Sequence, residues 1–478
     1  MIVQRNLIDG EWVGSEDGVE NINPSDTRDV VGIYARASVQ DTEMAIAAAT
    51  QAFTAWSRSG VLERHSILRK TSDELLARKD ELGALLAREE GKTLPEAIAE
   101  TVRAAQIFDF FAGETLRSQG QVLPSVRPEI GVEITREALG PIGIITPWNF
   151  PVAIPAWKIA PALCHGNTVV FKPAELVPGC AWALVDILHR AGLPRGVLNL
   201  VMGQGSVVGQ TMLNSSQLAG ITFTGSSGTG KRVAVASLEQ SRKLQLEMGG
   251  KNPMVVLDDA DLEVAVEACV NSAFFSTGQR CTAASRLIVT EGIHDRFVAA
   301  LTARLQSLRV GHALAPDSHI GPVVDERQLQ SNLHYIDIGL QEGAHLAFGG
   351  QLLSRDTPGF YLQPALFTGA NNQMRISREE IFGPVAAVIR VKDYEQALAV
   401  ANDTPFGLSS GIITSSLKHA THFKHHAQAG MVMVNLSTAG VDFHVPFGGR
   451  KASSYGPREQ GQYAAEFYTT IKTAYTLA

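Results

Sequence analysis

Residues 218–253 read LAGITFTGSSGTGKRVAVASLEQSRKLQLEMGGKNP, and their punctuation predicts a fold. The apolar run Leu218–Phe223 is short enough for a buried strand. A glycine-rich turn follows, then a helical stretch over Gly230–Ser237, then a second apolar run, Leu244-Gln245-Leu246, ending on Glu247. Strand, helix, strand at this spacing implies a right-handed crossover and parallel neighbours. Upstream, Ile142–Ile145, Thr168–Phe171 and Val197–Val201 continue the series, with a helical stretch at Gly179–Ala191. A mostly parallel sheet binds its ligand beyond the carboxyl ends of its strands. The segments to inspect are therefore PWNFP (147–151), KPAE (172–175), GQG (203–205) and TGSSGTG (224–230).

Downstream, a second α/β series starts near Pro253 with MVVLDDAD. Its helix, about Asp261–Phe275, runs into Ser276-Thr277-Gly278-Gln279-Arg280-Cys281, and Leu287–Val289, Ala386–Val391 and Met431–Asn435 supply further strands. The N-terminal segment is hairpin-like. Asp41 is expected to cap the first helix, and Leu62–Leu86 reads as one long helix. The tail Tyr463–Thr473 alternates like a strand and is expected to pair outside its own domain.

At 478 residues the chain calls for two or three domains. It is 45% hydrophobic and 19% charged, ordinary for a globular enzyme. A net charge of −7 and the absence of a basic run argue against nucleic acid as partner. No leader and no apolar stretch of membrane-spanning length is read, so the expectation is a cytoplasmic protein with no membrane contact. The four cysteines, Cys164, Cys180, Cys269 and Cys281, match no metal-site spacing and are too few for a disulfide scaffold. No metal is expected.

Cys281 is the cysteine placed for chemistry. It follows a helix in a Gly-Gln-Arg-Cys-Thr loop, beside a cation and free amides that favour a thiolate, whereas Cys269 sits mid-helix and Cys164 and Cys180 lie among small apolar residues. Glu247 ends a strand before two glycines, which leave it room to swing as a general base; a surface glutamate before a turn would look the same. Asn149 stands between Pro147 and Pro151, which hold its amide rigidly enough for an oxyanion hole, or simply build a turn. Lys172 and Glu175 could bond ribose hydroxyls or be two solvated charges. Gly225–Lys231 fits the start of a P-loop, yet Arg232 replaces the required Ser or Thr. A glycine-rich turn presenting a helix N-terminus to a pyrophosphate remains.

Taken together, PWNFP, KPAE, FTGSSGTGK, EMGGKNP, FFSTGQRCTAASR, EEIFGPV, NDTPFGLSSGI and PFGGRKASSYGPREQG resemble the aldehyde dehydrogenase superfamily, in its order and over nearly the whole chain. Small departures are Met248, where leucine is commoner, and the Ser453–Pro457 stretch. The resemblance implies an α/β aldehyde dehydrogenase fold. Its parts would be a Rossmann-like NAD(P)-binding domain (1–118 and 140–248), an α/β catalytic domain (249–445) and a small oligomerisation sheet (119–139 with 460–478). It implies Cys281 as nucleophile, Glu247 as base, and Asn149 with the Cys281 amide as oxyanion hole. Cofactor contacts would come from Thr146, Trp148, Lys172, Glu175, Gly225, Ser226, Gly249, Glu380 and Phe382. Substrate contacts would come from Phe150, Trp157, Phe275, Arg280, Thr282 and Phe443. A homodimer or homotetramer is expected, as is NAD with some use of NADP, since Glu175 would repel a 2′-phosphate and Lys172 partly offset it.

The segments FFSTGQRCTAASRLIVTEGIHDRF and GGRKASSYGPREQGQYAAEFYTTIKTAY look most like bacterial 2-oxoglutarate semialdehyde (2,5-dioxopentanoate) dehydrogenases. The implied reaction is NAD(P)+-dependent oxidation of an acidic semialdehyde through a cysteine thiohemiacetal and thioester. Arg280 is one candidate for its carboxylate, although a structural salt bridge suits it equally. The alternatives are an enzyme for neutral aliphatic or aromatic aldehydes, a P-loop nucleotide hydrolase, and an inactive structural homologue.

Overall fold

The computed structural model describes residues 2–14, 17–117 and 120–477. In it, the alternation around Gly225 becomes the centre of an eight-stranded sheet. Five parallel strands lie side by side in the order Lys243–Glu247, Gly220–Thr224, Pro141–Ile145, Thr168–Lys172 and Leu198–Leu200. The hairpin Asn6–Ile8 and Glu11–Val13 closes one edge antiparallel, and Ser454–Tyr455 closes the other beside Leu246 and Glu247. The strands Thr168–Lys172 and Gly220–Thr224 are buried along their whole length, as helices on both faces require. Register pairs Ile145 with both Lys172 and Phe223, and Thr224 with Glu247. The residues that follow these strands therefore share one rim.

A second sheet of seven strands takes the order His345–Phe348, Ala365–Ala370, Val385–Val391, Ala284–Thr290, Asn252–Val256, Ser409–Ile413, Met431–Val434, and only its first pair is antiparallel. Three-stranded sheets complete the fold. In one, Thr469–Leu477 runs antiparallel to Ile130–Ala138, which pairs with Gln121–Pro124. The tail thus pairs with residues more than three hundred positions away, and its Phe467 and Tyr468 enter the core of the first sheet. The division expected at residues 118 and 119 touches positions outside the described residues.

Two local expectations are corrected. Ser38, not Asp41, caps the first helix: its side chain accepts the Asp41 N–H, and Asp41 returns a bond to the Ser38 N–H in a capping box. The long helix over Leu62–Leu86 is two helices, Val61–Ala77 and Lys79–Glu90, broken at Arg78. The Arg78 guanidinium clasps Glu74 on one helix and Glu81 on the next, so the joint is held by charge that periodicity does not register.

Candidate active site

Cys281 lies past the helix Leu262–Phe274, in a loop whose backbone is bent against its preference. Ser276, Thr277 and Gly278 have φ of 50°, 57° and 65°, three left-handed residues in a row. For a β-branched threonine this costs of order 1–3 kcal/mol, so the surroundings must impose it. They do. Glu96 accepts both the N–H and the hydroxyl of Ser276 at 2.9 Å, and the Thr277 hydroxyl donates to the Gly321 carbonyl at 3.1 Å. Gly278 must be glycine, because a Cβ there would stand 2.3 Å from the Gly383 oxygen.

The bend leaves the Cys281 thiol half-buried against Leu408, Met431 and Phe447, and on the wall of a cavity of about 350 Å³. Burial, with the charges of Glu247 and Glu380, pushes the thiol up to about 12, and the Cys281 and Thr282 amides partly oppose this. The resting group is therefore a neutral thiol. The other three cysteines are buried in the cores.

Asn149 is buried at the rim of the first sheet. Its side-chain amide donates to the Gln279 carbonyl at 3.0 Å, and its own carbonyl accepts from Lys92 Nζ at 2.7 Å. Lys92 also meets Glu100 at 2.7 Å, whose other oxygen accepts the Val152 and Ala153 amides. Asn149 is thus braced from both ends.

Glu247 is 2% exposed and accepts a 2.6 Å hydrogen bond from Ser454. Burial, then the neighbouring Glu459, hold its carboxyl well above the ordinary range. Behind it, Lys158 pairs with Glu459 and donates to Thr222 at 2.7 Å. The second carboxylate oxygen of Glu459 is buried without a partner among the described residues.

On the other side, the expected cofactor residues line up along the rim. The Thr146 amide bonds the Lys172 carbonyl; Lys172 Nζ, buried and lowered by that burial, reaches only Pro173 O among the described residues. Glu175 is exposed and accepts the Gly205 amide at 3.0 Å. The Gly225 amide bonds the Glu247 carbonyl, and Ser226 caps the 13-residue helix Ser227–Glu239. Glu380 comes from the loop before the second sheet's strand Val385–Val391, accepts the Gly250 amide at 2.9 Å and is pushed up to about 7 by burial. Gly249 makes room for it, since a Cβ would stand 1.9 Å from its carboxylate. Phe382, at φ 60°, meets Trp148 edge to face at 5.3 Å.

A dinucleotide fits this rim. The Thr224 and Ser227 hydroxyls beside the helix N-terminus are buried with no partner among the described residues, and a Cβ at Gly228 would meet open space. Unpaired donors at a positive helix end suit a phosphate.

Of the expected substrate residues, Phe150, Trp157, Arg280 and Thr282 line the cavity. Phe275 and Phe443 do not. Phe275 packs into the core of the second sheet, and Phe443 lies edge to face on Phe110 at 6.2 Å. Their places as walls are taken by Phe447, stacked on Trp157 at 5.4 Å, and by Val441. Arg280 is committed to a salt bridge with Glu96 at 2.9 Å and to Ser276 at 3.0 Å.

Lys92, Glu96, Glu100, Arg103, Lys158, Ser454 and Glu459 join the site without having stood out in the sequence. A signal existed for three of them. Glu96, Glu100 and Arg103 recur at helical spacing in an alanine-rich helix, Leu94–Glu114, and so form one polar stripe.

The family model described as "Aldehyde dehydrogenase family" matches residues 12–474. The chain is 47% identical over 475 residues to an alpha-ketoglutaric semialdehyde dehydrogenase of Bacillus subtilis, covering 98% of this chain and 97% of that protein. It is 43% identical to an alpha-ketoglutarate semialdehyde dehydrogenase of Haloferax volcanii, covering 98% of each. The crystal structure of a Staphylococcus aureus betaine aldehyde dehydrogenase in complex with NAD+ superimposes with a TM-score of 0.96 at 33% identity, over 99% of this chain and 95% of that one.

Proposed function

The chain belongs to the aldehyde dehydrogenase family, and from that premise we propose that it oxidises an acidic semialdehyde of the 2-oxoglutarate semialdehyde type to the acid, with NAD+ as cofactor. One observation carries the reading: the Cys281 thiol opens on a cavity of about 350 Å³, the small end of ligand pockets, with a rim suited to a dinucleotide on its other side. The names of the Bacillus and Haloferax relatives support the acidic substrate.

In this reading the Cys281 thiol gives up its proton to solvent as Sγ bonds the aldehyde carbon, and the oxyanion is received by the Asn149 amide and the Cys281 N–H. Lys92 and Glu100 keep Asn149 in place for that moment. Bound nicotinamide supplies the hydride acceptor, which leaves a thioester on Cys281. Glu247 takes a proton from the water that hydrolyses the thioester, and its burial makes it a stronger base than an exposed carboxylate. Lys172, Glu175, Ser226 and Glu380 would hold the cofactor. The Glu175 carboxylate disfavours a 2′-phosphate, so NAD+ is preferred to NADP+.

The four free cysteines suit a reducing cytoplasm. Val122, Ile471, Tyr475 and Leu477 stand exposed on the three-stranded sheet that carries the tail, which suits a dimer or tetramer assembled there.

The test is kcat/KM for 2-oxoglutarate semialdehyde, succinate semialdehyde, hexanal and benzaldehyde with each cofactor. The acidic substrates should lead by about tenfold or more, roughly 1.4 kcal/mol of transition-state binding. A tenfold lead for the neutral aldehydes would refute the acidic reading.

A further inference from the structure

Five charged side chains line the cavity beside Cys281: Lys92, Glu96, Glu100, Arg103 and Arg280. Four of them are spent on one another. Lys92 is matched to Glu100, and Arg280 to Glu96. The oxygens of both carboxylates are further filled by backbone amides or hydroxyls: Val152 and Ala153 on Glu100, Thr93 and Ser276 on Glu96. Lys92 also has buried Glu90 at 3.9 Å, so three cations face three carboxylates, yet Arg103 is the one without a carboxylate within 4 Å among the described residues.

Arg103 is half-buried on the helix Leu94–Glu114 and has no carboxylate within salt-bridge distance among the described residues. Its one hydrogen bond among them runs from Nη1 to the Val441 carbonyl. A guanidinium carries five N–H donors in a planar fork, so four remain for a ligand. Burial works against its charge and Asp442 only partly restores it. A cation held at such a cost without a protein partner is matched to an anion that arrives from outside. The other cavity walls, Phe150, Trp157, Phe447 and Val441, offer a substrate no charge.

We propose that Arg103 is the specificity-determining residue of this enzyme, its free guanidinium edge binding the carboxylate of the semialdehyde while Cys281 engages the aldehyde. The proposal rests on the acidic-substrate reading above and adds the residue that enforces it. Arg280, although adjacent to the nucleophile, is excluded from that role by its commitment to Glu96 and Ser276.

The competing role for Arg103 is a clasp on the loop around Val441, and the two roles predict different outcomes. Arg103→Met removes charge and clasp, whereas Arg103→Gln removes the charge but keeps a donor for the Val441 carbonyl. Each variant is compared with wild type on 2-oxoglutarate semialdehyde and on pentanal, a neutral aldehyde of the same carbon count. The acidic-to-neutral ratio of kcat/KM should fall about 10- to 100-fold in both variants, the range of a charge-assisted hydrogen bond. The loss should lie mainly in KM, and inhibition by 2-oxoglutarate should weaken in parallel. A ratio that stays at the wild-type value in the glutamine variant, with both substrates slowed alike, overturns the Arg103 assignment and leaves the acidic-substrate reading standing. A wild-type enzyme that already favours pentanal overturns that reading, and this assignment with it.

Discussion

Two lysines are fully buried beside the candidate site, each against a glutamate, and they do different work. Lys92 meets Glu100 Oε2 and the Asn149 carbonyl, while Glu100 Oε1 is filled by the Val152 and Ala153 amides. Both oxygens of Glu100 are filled, so the pair behaves as a brace that fixes the backbone at Asn149. Lys158 meets Glu459 and Thr222, but the second oxygen of Glu459 has no donor among the described residues and its charge acts on Glu247. That group is left unbalanced, and after burial the Glu459 charge adds most to the basicity of its neighbour. Burial alone therefore does not tell scaffold from chemistry; the completeness of hydrogen bonding does.

Glu247→Gln probes the tuned end most severely. Deacylation should slow about 10²- to 10⁴-fold, the usual range for a lost general base. Hydride transfer should survive as a burst of NADH followed by slow turnover. Because the Glu247 charge helps raise the Cys281 thiol, the same variant should be alkylated by iodoacetamide faster than wild type at a given pH. Slower alkylation with no burst would instead make Glu247 the activator of Cys281.

Lys92→Met tests the brace. It leaves Glu100 buried without its cation, and breaking a buried pair from one side costs about 3–5 kcal/mol, readable by urea denaturation. Activity should fall with stability as Asn149 loosens. A variant of unchanged stability whose only defect is a shifted pH profile would erase the distinction between the two lysines.

Glu459→Gln, which breaks an equally buried ion pair but keeps an oxygen for Lys158, has the smallest effect expected on turnover and the most specific one. After burial, Glu459 is the largest cause of the raised Glu247 carboxyl, so neutralising it lowers that pKa. The base must be deprotonated to act, so activity rises as pH rises through its pKa. The rising limb of the pH profile for thioester hydrolysis should move to lower pH. A limb displaced upward, or unmoved, would show that Glu459 does not tune Glu247.

The chain-local parts of this protein are legible in its sequence. Alternating runs with glycine turns signal the parallel sheet around Gly225, because strand, turn and crossover are all set within about thirty residues. The motifs point to Cys281, Glu247 and Asn149 because a rigid turn, a strand end and a loop after a helix are local features. Asp41 and Arg78 mark the limit of that resolution. A cap displaced by three residues and a helix joint held by Glu74 and Glu81 depend on side chains that hydrophobic period ignores.

Only the tertiary structure decided the substrate side. Its cavity draws on Lys92 to Arg103, on Phe150 to Trp157, on Cys281 and on Ser437 to Gln460, segments hundreds of residues apart. Whether an aromatic ring becomes a wall or core packing depends on which of these segments it faces, which is how Phe447 rather than Phe275 came to line it. The fate of each charge was undecided for the same reason. Adjacency to Cys281 made Arg280 conspicuous in the chain, yet Glu96 neutralises it, while Arg103, 178 positions from the nucleophile, lines the cavity with no carboxylate within salt-bridge distance among the described residues. Pairing is a property of neighbours in space, and a sequence records only neighbours along the chain.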